Sequence, residues 1–137
     1  MSYISAFDPS EDKKRNLASK IYDISESVTK FFWDDAPRLG IQQREGQQDM
    51  AFDVLDAIKS GSHVVIEAGV GIGKSFAYLV PILLYNAKTF SPVVIATSTI
   101  ALQEQLLSDM ELLKKWLRLD PDLILAKGKN HIFVSKM

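Results

Sequence analysis

The stretch Val64-Val65-Ile66-Glu67-Ala68-Gly69-Val70-Gly71-Ile72-Gly73-Lys74-Ser75 carries the strongest indication of the fold. An apolar run at residues 64–66 leads into three glycines at alternate positions, and a helix-like segment follows. Glycines at this spacing let the backbone turn tightly and present several N–H groups to one anion. The following helix would direct its positive end at the same place. The stretch therefore predicts a phosphate-binding loop between a strand and a helix.

The two residues after the last glycine have the chemistry that a nucleoside triphosphate requires. Lys74 supplies a positive charge for the β- and γ-phosphates, and the Ser75 hydroxyl is suited to bind Mg²⁺. The usual pattern is G-x-x-x-x-G-K-[ST], and here Ala68 replaces the first glycine. A plain flexible turn is the alternative, but the strand before the loop and the helix after it favour a nucleotide site. The predicted nucleotide contacts are Ala68, Gly69, Val70, Gly71, Ile72, Gly73, Lys74 and Ser75, with Lys74 catalytic and Ser75 the metal ligand.

Length and composition fit one domain with a buried core. The chain has 137 residues, 47% of them hydrophobic, and a formal net charge of −1. A nucleic-acid site must therefore be local, because no overall basic field indicates one. The chain has no cysteine, which excludes disulfides, thiolate zinc sites and a cysteine-ligated iron–sulfur cluster within these residues. The N-terminus lacks the pattern of a secretory signal, and we expect a cytoplasmic protein without a membrane span.

The first 40 residues are predicted to form an amphipathic helix and a connector. The helix begins at Pro9, with Asp8 as its N-cap and Glu11 reaching back to the helix start. Apolar residues then recur at spacings of three and four. This stripe consists of Leu17, Ile21, Ile24, Val28 and Phe31. The connector is predicted at residues 34–41, where a proline and a glycine occur.

Three short apolar runs alternate with helical patterns in residues 41–137. The apolar runs are residues 63–66, 93–96 and 123–125. The helical patterns are residues 47–59, 74–86 and 100–117. This order predicts an α/β fold with a parallel βαβαβ sheet and a nucleotide at the carboxyl ends of its strands. Gly61 is expected to end the first of these helices, and Pro81 to kink or shorten the second.

Two polar segments near the predicted loop are open to two interpretations each. Gln47, at a helix start, can offer an amide donor and acceptor to adenine, but composition alone favours solvated side chains for Gln47 and Gln48. The hydroxyls of Thr97, Ser98 and Thr99 follow a predicted strand, where they suit the phosphate backbone of a nucleic acid. Capping of the next helix by Ser98 or Thr99 explains them equally well.

Three ordered motifs extend from ahead of the glycine-rich loop to beyond the second predicted strand. They are Arg44-x-x-Gln47-x-x-Met50, Ile66-Glu67-Ala68-Gly69-Val70-Gly71-Ile72-Gly73-Lys74-Ser75-x-Ala77-Tyr78-Leu79-x-Pro81, and Ala96-Thr97-x-Thr99-x-x-Leu102-Gln103-Glu104-Gln105-Leu106. Together they resemble the DinG/XPD-like branch of the superfamily 2 helicases, from about residue 31 to the C-terminus. The resemblance implies part of a RecA-like P-loop NTPase domain that binds ATP and Mg²⁺. It also implies ATP-driven translocation on single-stranded DNA and duplex unwinding.

The same resemblance implies roles for individual residues. Arg44 and Gln47 would belong to the ATP site, with Gln47 on adenine, and the segment from Thr97 to Gln103 would contact the DNA backbone. The predicted DNA contacts are Thr97, Thr99 and Gln103.

The chain departs from this family pattern in two places. Many relatives have the first cysteine of an iron–sulfur cluster where this chain has Val134, so no cluster is predicted. An acidic box, whose carboxylates hold Mg²⁺ and activate water, does not follow residues 93–96. The sequence is therefore expected to be the front end of a longer helicase. The alternative is a truncated, non-catalytic remnant that binds nucleotide or DNA, and a small-molecule kinase is disfavoured by the scarcity of arginine after residue 40.

Overall fold

The computed structural model describes residues 9–69, 73–126 and 132–136. Within these residues the elements are α1 (Pro9–Lys30), a π-helical turn (Phe31–Asp35), α2 (Ala36–Arg38), α3 (Gln47–Ser60), α4 (Lys74–Thr89), β1 (Val93–Ala96), α5 (Ile100–Leu117), β2 (Asp122–Ala126) and β3 (Ile132–Lys136). None of the described helices combines the length and the apolar character needed to cross a bilayer.

The first helix begins at Pro9, as predicted, although its predicted cap Asp8 lies outside the described residues. The helix does not give way to a connector at residue 34, so that prediction is wrong. It continues through the π-helical turn, in which the Ala36 N–H donates to the Phe31 carbonyl, and then through α2. Pro37 lies inside this continuous helical path and has no N–H to donate. The Phe32 carbonyl, which an N–H at position 37 would reach with π-helical spacing, instead accepts a hydrogen bond from Gln43 Nε2 over 2.7 Å.

The apolar stripe of α1 packs into the core of the molecule, against α4 and α3. Four of its five predicted members are buried, whereas Leu17, nearest the N-terminus, is 46% exposed. The core residues come from all five helices and the π-helical turn. They are Ile21, Ile24, Val28, Phe31, Phe32, Ala36, Ala51, Leu55, Leu79, Val80, Leu83, Leu84, Leu106, Met110 and Leu113. The sequence pattern therefore predicted the buried face of α1, except at Leu17.

The later helices follow the predicted bounds closely. Helix α3 ends at Gly61, whose φ of 63° places it in the left-handed region that favours glycine. Helix α5 has the predicted bounds. Helix α4 passes through Pro81 and ends at Thr89, so of the two effects predicted for Pro81, a kink or an early end, the early end is wrong. Pro81 and its neighbours Leu79 and Val80 are buried, and this packing offsets the roughly 3 kcal/mol that an interior proline costs a helix.

The described strands form an antiparallel sheet, which corrects the predicted parallel βαβαβ arrangement. The strand order is β1-β3-β2, and β3 pairs antiparallel with both neighbours. Val94 and Ile124 both lie opposite Val134. Only five residues separate β2 from β3, which suits an antiparallel pair, because a parallel pair needs a crossover of a dozen or more residues. β3 was not predicted.

The first predicted strand is absent from this sheet. Residues 63–66 have no regular secondary structure, and Val65 is 99% exposed. The apolar run there identified a segment with strand propensity but could not show that a pairing partner lies beside it. The second and third predicted strands are confirmed as β1 and β2.

Candidate nucleotide-binding site

A cavity of about 600 Å³ lies at the N-terminal end of α4. Its wall comes from three parts of the chain: the segment before α3, the start of α4 and one face of α5. The residues that line it are Ile41, Gln42, Arg44, Gln47, Gly73, Lys74, Ser75, Phe76, Tyr78, Leu102, Gln105 and Asp109. The cavity therefore brings together the second half of the glycine-rich loop and two residues of the motif that precedes it, Arg44 and Gln47.

Gly73 caps the N-terminus of α4 in a conformation that a side chain would disturb. Its φ is 71°, in the left-handed region. A Cβ atom at this position would also overlap the side-chain amide of Gln47. Two separate constraints thus require glycine where the loop meets the helix.

Gln47 is held against this loop rather than solvated, so the interpretation favoured by composition is wrong for this residue. It is 4% exposed, and its Nε2 atom donates a hydrogen bond to the Gly73 carbonyl over 3.2 Å. Its neighbour Gln48 is half-buried. Gln47 begins α3, and its backbone N–H donates to the Arg44 carbonyl over 3.2 Å. Arg44 is exposed at the wall of the same cavity.

Lys74 and Ser75 are the first two residues of α4, where free N–H groups favour an anion. Lys74 is exposed and Ser75 half-buried, and both line the cavity. The described first turn of α4 contains no acidic residue that would neutralise the positive end of its dipole. The helix start and the ammonium group therefore favour negative charge at the same position.

The described residues from the first half of the loop do not contribute to this cavity. Ala68 and Gly69 have no regular secondary structure and do not line it. Val70, Gly71 and Ile72 lie outside the described residues. The contacts predicted for these five residues remain predictions.

Helix α5 and the second turn of α4 supply four cavity residues that the sequence analysis did not assign to the nucleotide site. Leu102, Gln105 and Asp109 have the spacing of one helical face, and Tyr78 lies one turn after Ser75. Burial raises the pKa of Asp109 above its ordinary value of 3.8, and hydrogen bonding to Ser75 opposes the shift. Burial likewise raises the pKa of Tyr78 above 10.0, opposed by hydrogen bonding to Ser75 and assisted by the negative charge of Asp109. The periodicity of α5 could have identified this face, but not what it packs against.

A smaller cavity of about 220 Å³ adjoins the first and includes Thr97 and Ser98. Four residues line both cavities, so the predicted nucleotide and DNA segments have common walls: Ser75, Tyr78, Leu102 and Gln105. The Thr99 hydroxyl accepts from the Leu102 N–H over 3.2 Å, which shows that Thr99 is the N-cap of α5.

The three predicted DNA contacts differ in how accessible they are. Thr99 is exposed and Thr97 half-buried. Gln103 is 5% exposed, so it presents almost no surface to a DNA strand in this structure.

Comparison with known proteins identifies the class to which this fold and site belong. Residues 46–132, more than half of the chain, match the family described as DEAD/DEAH box helicase, and the chain belongs to that family. Membership implies a P-loop NTPase fold.

The chain is also similar to individual proteins, two of them named as helicases, which confirms its resemblance to DinG. It is 38% identical over 120 residues to the ATP-dependent helicase DinG of Mycobacterium tuberculosis, a match that covers 83% of this chain and 18% of that protein. It is 41% identical over 93 residues to the ATP-dependent DNA helicase YoaA of Escherichia coli, with 67% and 14% covered. It is 36% identical over 93 residues to the 3'-5' exonuclease DinG of Bacillus subtilis, with 67% and 10% covered. The chain thus spans less than a fifth of the length of these relatives, and no solved structure matches it significantly.

Proposed function

We propose that this chain supplies the ATP-binding part of an ATP-dependent DNA helicase that couples ATP hydrolysis to movement along single-stranded DNA and duplex unwinding. The observation that carries the proposal is the position of Gly73, Lys74 and Ser75 at the open N-terminal end of α4, in one cavity with Gln47. The names of the relatives support the choice of ATP and DNA.

The residues present fit a magnesium-bound nucleotide. The cavity of about 600 Å³ lies within the range of small-molecule sites, roughly 300–1,000 Å³. The absence of a Cβ at Gly73 lets the backbone approach the phosphates closely, and Lys74 supplies the positive charge beside it. The Ser75 hydroxyl would hold Mg²⁺, which neutralises phosphate charge and orients the phosphoryl group. Arg44 and Gln47 would contact the rest of the nucleotide. Gln47 is buried but, unlike Gln103, lines the cavity, so the part of its amide that does not bond Gly73 would contact adenine.

We assign the contacts with the DNA backbone to Thr97 and Thr99. Thr99 is exposed at the start of α5, and Thr97 lines the cavity that adjoins the nucleotide site. Buried Gln103 would affect DNA binding only indirectly. Its main-chain N–H donates to the Thr99 carbonyl over 3.2 Å and so helps to form the turn that presents Thr99. The common wall at Ser75 gives a route by which DNA and nucleotide can affect each other's binding.

For the 137 residues alone, we propose nucleotide binding with little or no hydrolysis. Asp109 is the only carboxylate among the described residues that line the cavity. Hydrolysis of this kind requires carboxylates that hold the metal and activate the attacking water. The release of phosphate from ATP by this chain, measured with and without single-stranded DNA, should therefore stay near background.

Calorimetric titration with magnesium-ATP tests the binding proposal directly. Lys74→Ala removes a charge-assisted contact with phosphate and should weaken binding by at least about tenfold. Lys88→Ala is the matched control, because Lys88 is an exposed lysine near the other end of the same helix. Equal affinity of the Lys74→Ala variant and the unchanged chain would overturn the assignment of this cavity.

A further inference from the structure

A second groove, of about 690 Å³, lies between the end of α5 and the segment that joins α1 to α2. Its polar wall includes the side chains of Lys30, Asp35, Arg38, Lys115 and Arg118. Its apolar wall includes Leu39, Leu84 and Trp116. Among the described residues, this groove and the nucleotide cavity have no lining residue in common.

The groove is strongly basic although the chain as a whole has a net charge of −1. Four cationic residues and one acidic residue, Asp35, line the groove, which gives a net charge of +3. Asp35 pairs with Lys30 over 3.2 Å. Within the described part of the chain, Arg38, Lys115 and Arg118 form no ion pair, and all three are exposed.

The ends of two helices account for only part of this positive charge. Both α2 and α5 end at the groove, and a helix C-terminus carries about half a negative charge. Two such ends offset roughly one of the three net positive charges. Lys114, in the same turn of α5 as Lys115, is already paired with Glu111 at 3.5 Å and Asp120 at 3.6 Å. A surplus of about two positive charges remains at the groove without a partner among the described residues.

Arg118 occupies a position that is usually glycine in helices ending with a left-handed residue. It follows α5 directly and has a φ of 54°, in the left-handed region. A side chain in this conformation costs of order 1 kcal/mol relative to glycine. Phe90 ends α4 in the same conformation, so the conformation alone does not indicate a ligand. What Arg118 adds to the groove is a guanidinium, a group that binds phosphate with two parallel hydrogen bonds.

We propose that this groove binds the phosphate backbone of a single-stranded nucleic acid. Basic side chains beside aromatic and apolar surface are the combination that single strands require, and half-buried Trp116 supplies the aromatic surface. The groove lies at the opposite end of α5 from Thr97 and Thr99, about 27 Å away along an 18-residue helix. The choice of a nucleic acid rather than an acidic peptide rests on the proposed function.

Fluorescence anisotropy with a labelled 20-nucleotide oligothymidine, measured without ATP over a range of salt concentrations, tests the proposal. The variant Arg38→Gln/Lys115→Gln/Arg118→Gln removes three groove charges. A plot of the logarithm of the binding constant against the logarithm of the salt concentration should have a slope smaller in magnitude by about 2. Each lost phosphate contact contributes about 0.7 to this slope for a single strand. Its affinity near 0.1 M salt should fall at least about tenfold.

The variant Lys13→Gln/Lys14→Gln/Arg15→Gln is the matched control, because it removes three exposed charges from the start of α1. It should keep the original salt slope. The proposal would be overturned by an equal loss of oligothymidine affinity in both variants or by an unchanged salt slope in the groove variant. Tighter binding of an oligoglutamate peptide than of oligothymidine would overturn it as well. The single change Arg38→Glu gives the same comparison if the triple variant folds poorly. Calorimetry with magnesium-ATP should be unchanged in the groove variant, so failure here is distinguishable from failure of the nucleotide site.

Discussion

The side-chain amide of Gln47 donates a hydrogen bond to the main-chain carbonyl of Gly73, with 3.2 Å between Nε2 and the oxygen. This bond joins the first residue of α3 to the N-cap of α4, 26 positions later in the chain. Because Gln47 is buried, water competes little for its amide. The side chain proposed to contact adenine therefore also positions the helix start proposed to hold the phosphates.

Gly73→Ala should destabilise the protein and weaken magnesium-ATP binding. The left-handed backbone at Gly73 costs a residue with a side chain about 1–2 kcal/mol. The overlap of the added Cβ with the Gln47 amide should raise the loss further. Urea unfolding at equilibrium gives the stability change, and calorimetry gives the affinity change.

Gly61→Ala separates the two causes. Gly61 has a similar φ, 63°, but a Cβ there would meet no atom within 4 Å, so only the backbone cost applies. Adding Gln47→Ala to Gly73→Ala removes the obstructing amide and should recover part of the stability. Equal losses of stability in Gly61→Ala and Gly73→Ala, with no stability recovered in the double variant, would show that Gln47 does not constrain Gly73.

Thr99→Ala should lower the free energy of unfolding by about 1 kcal/mol through loss of the N-cap of α5. The Thr99 hydroxyl accepts from the Leu102 N–H over 3.2 Å, and alanine leaves this donor without its partner. Thr99→Ser keeps the hydroxyl and should stay close to the unchanged protein in thermal or urea unfolding. Ser98→Ala is the neighbouring control, and a loss there as large as at Thr99 would contradict the cap assignment.

The end of α3 and the start of α5 were predictable because they depend on a few local residues. Gly61 ends α3 and Thr99 caps α5 through chemistry that is written in the adjacent sequence. The sheet was not predictable in the same way, because strand pairing depends on which distant segment lies alongside. Residues 63–66 have strand character but no partner strand in this structure, and β3 pairs with both of its neighbours although its sequence was not identified as a strand.

The candidate site shows the same division between local and distant information. Gly73, Lys74 and Ser75 were identified from their spacing, and the structure places them in one cavity. The contribution of Asp109 was missed because it depends on how α5 is oriented against α4. A helical face can be deduced from periodicity, but its neighbour cannot.

Asp109→Asn should stabilise the nucleotide-free protein at neutral pH. Burial raises the pKa of the Asp109 carboxyl in the folded state above its ordinary value of 3.8. The folded state therefore binds this proton more tightly than the unfolded state does, and stability falls as pH rises from about 3.8 through the folded-state pKa. Above that pKa the full cost of the charged carboxylate is present, and an uncharged asparagine avoids it.

Urea unfolding midpoints measured between pH 4 and pH 8, without nucleotide or Mg²⁺, check this sign. The unfolding midpoint of the variant should be higher than that of the unchanged protein at pH 7. The difference should shrink as the pH falls through the folded-state pKa of Asp109 toward 3.8, because the folded protein then holds the proton. Asp53→Asn, on the exposed side of α3, is the control for a general change in net charge. A variant less stable than the unchanged protein at pH 7, or a stability difference that does not vary with pH, would contradict this prediction. Either result would mean that the hydrogen bond from Ser75 offsets the cost of burying the Asp109 carboxylate.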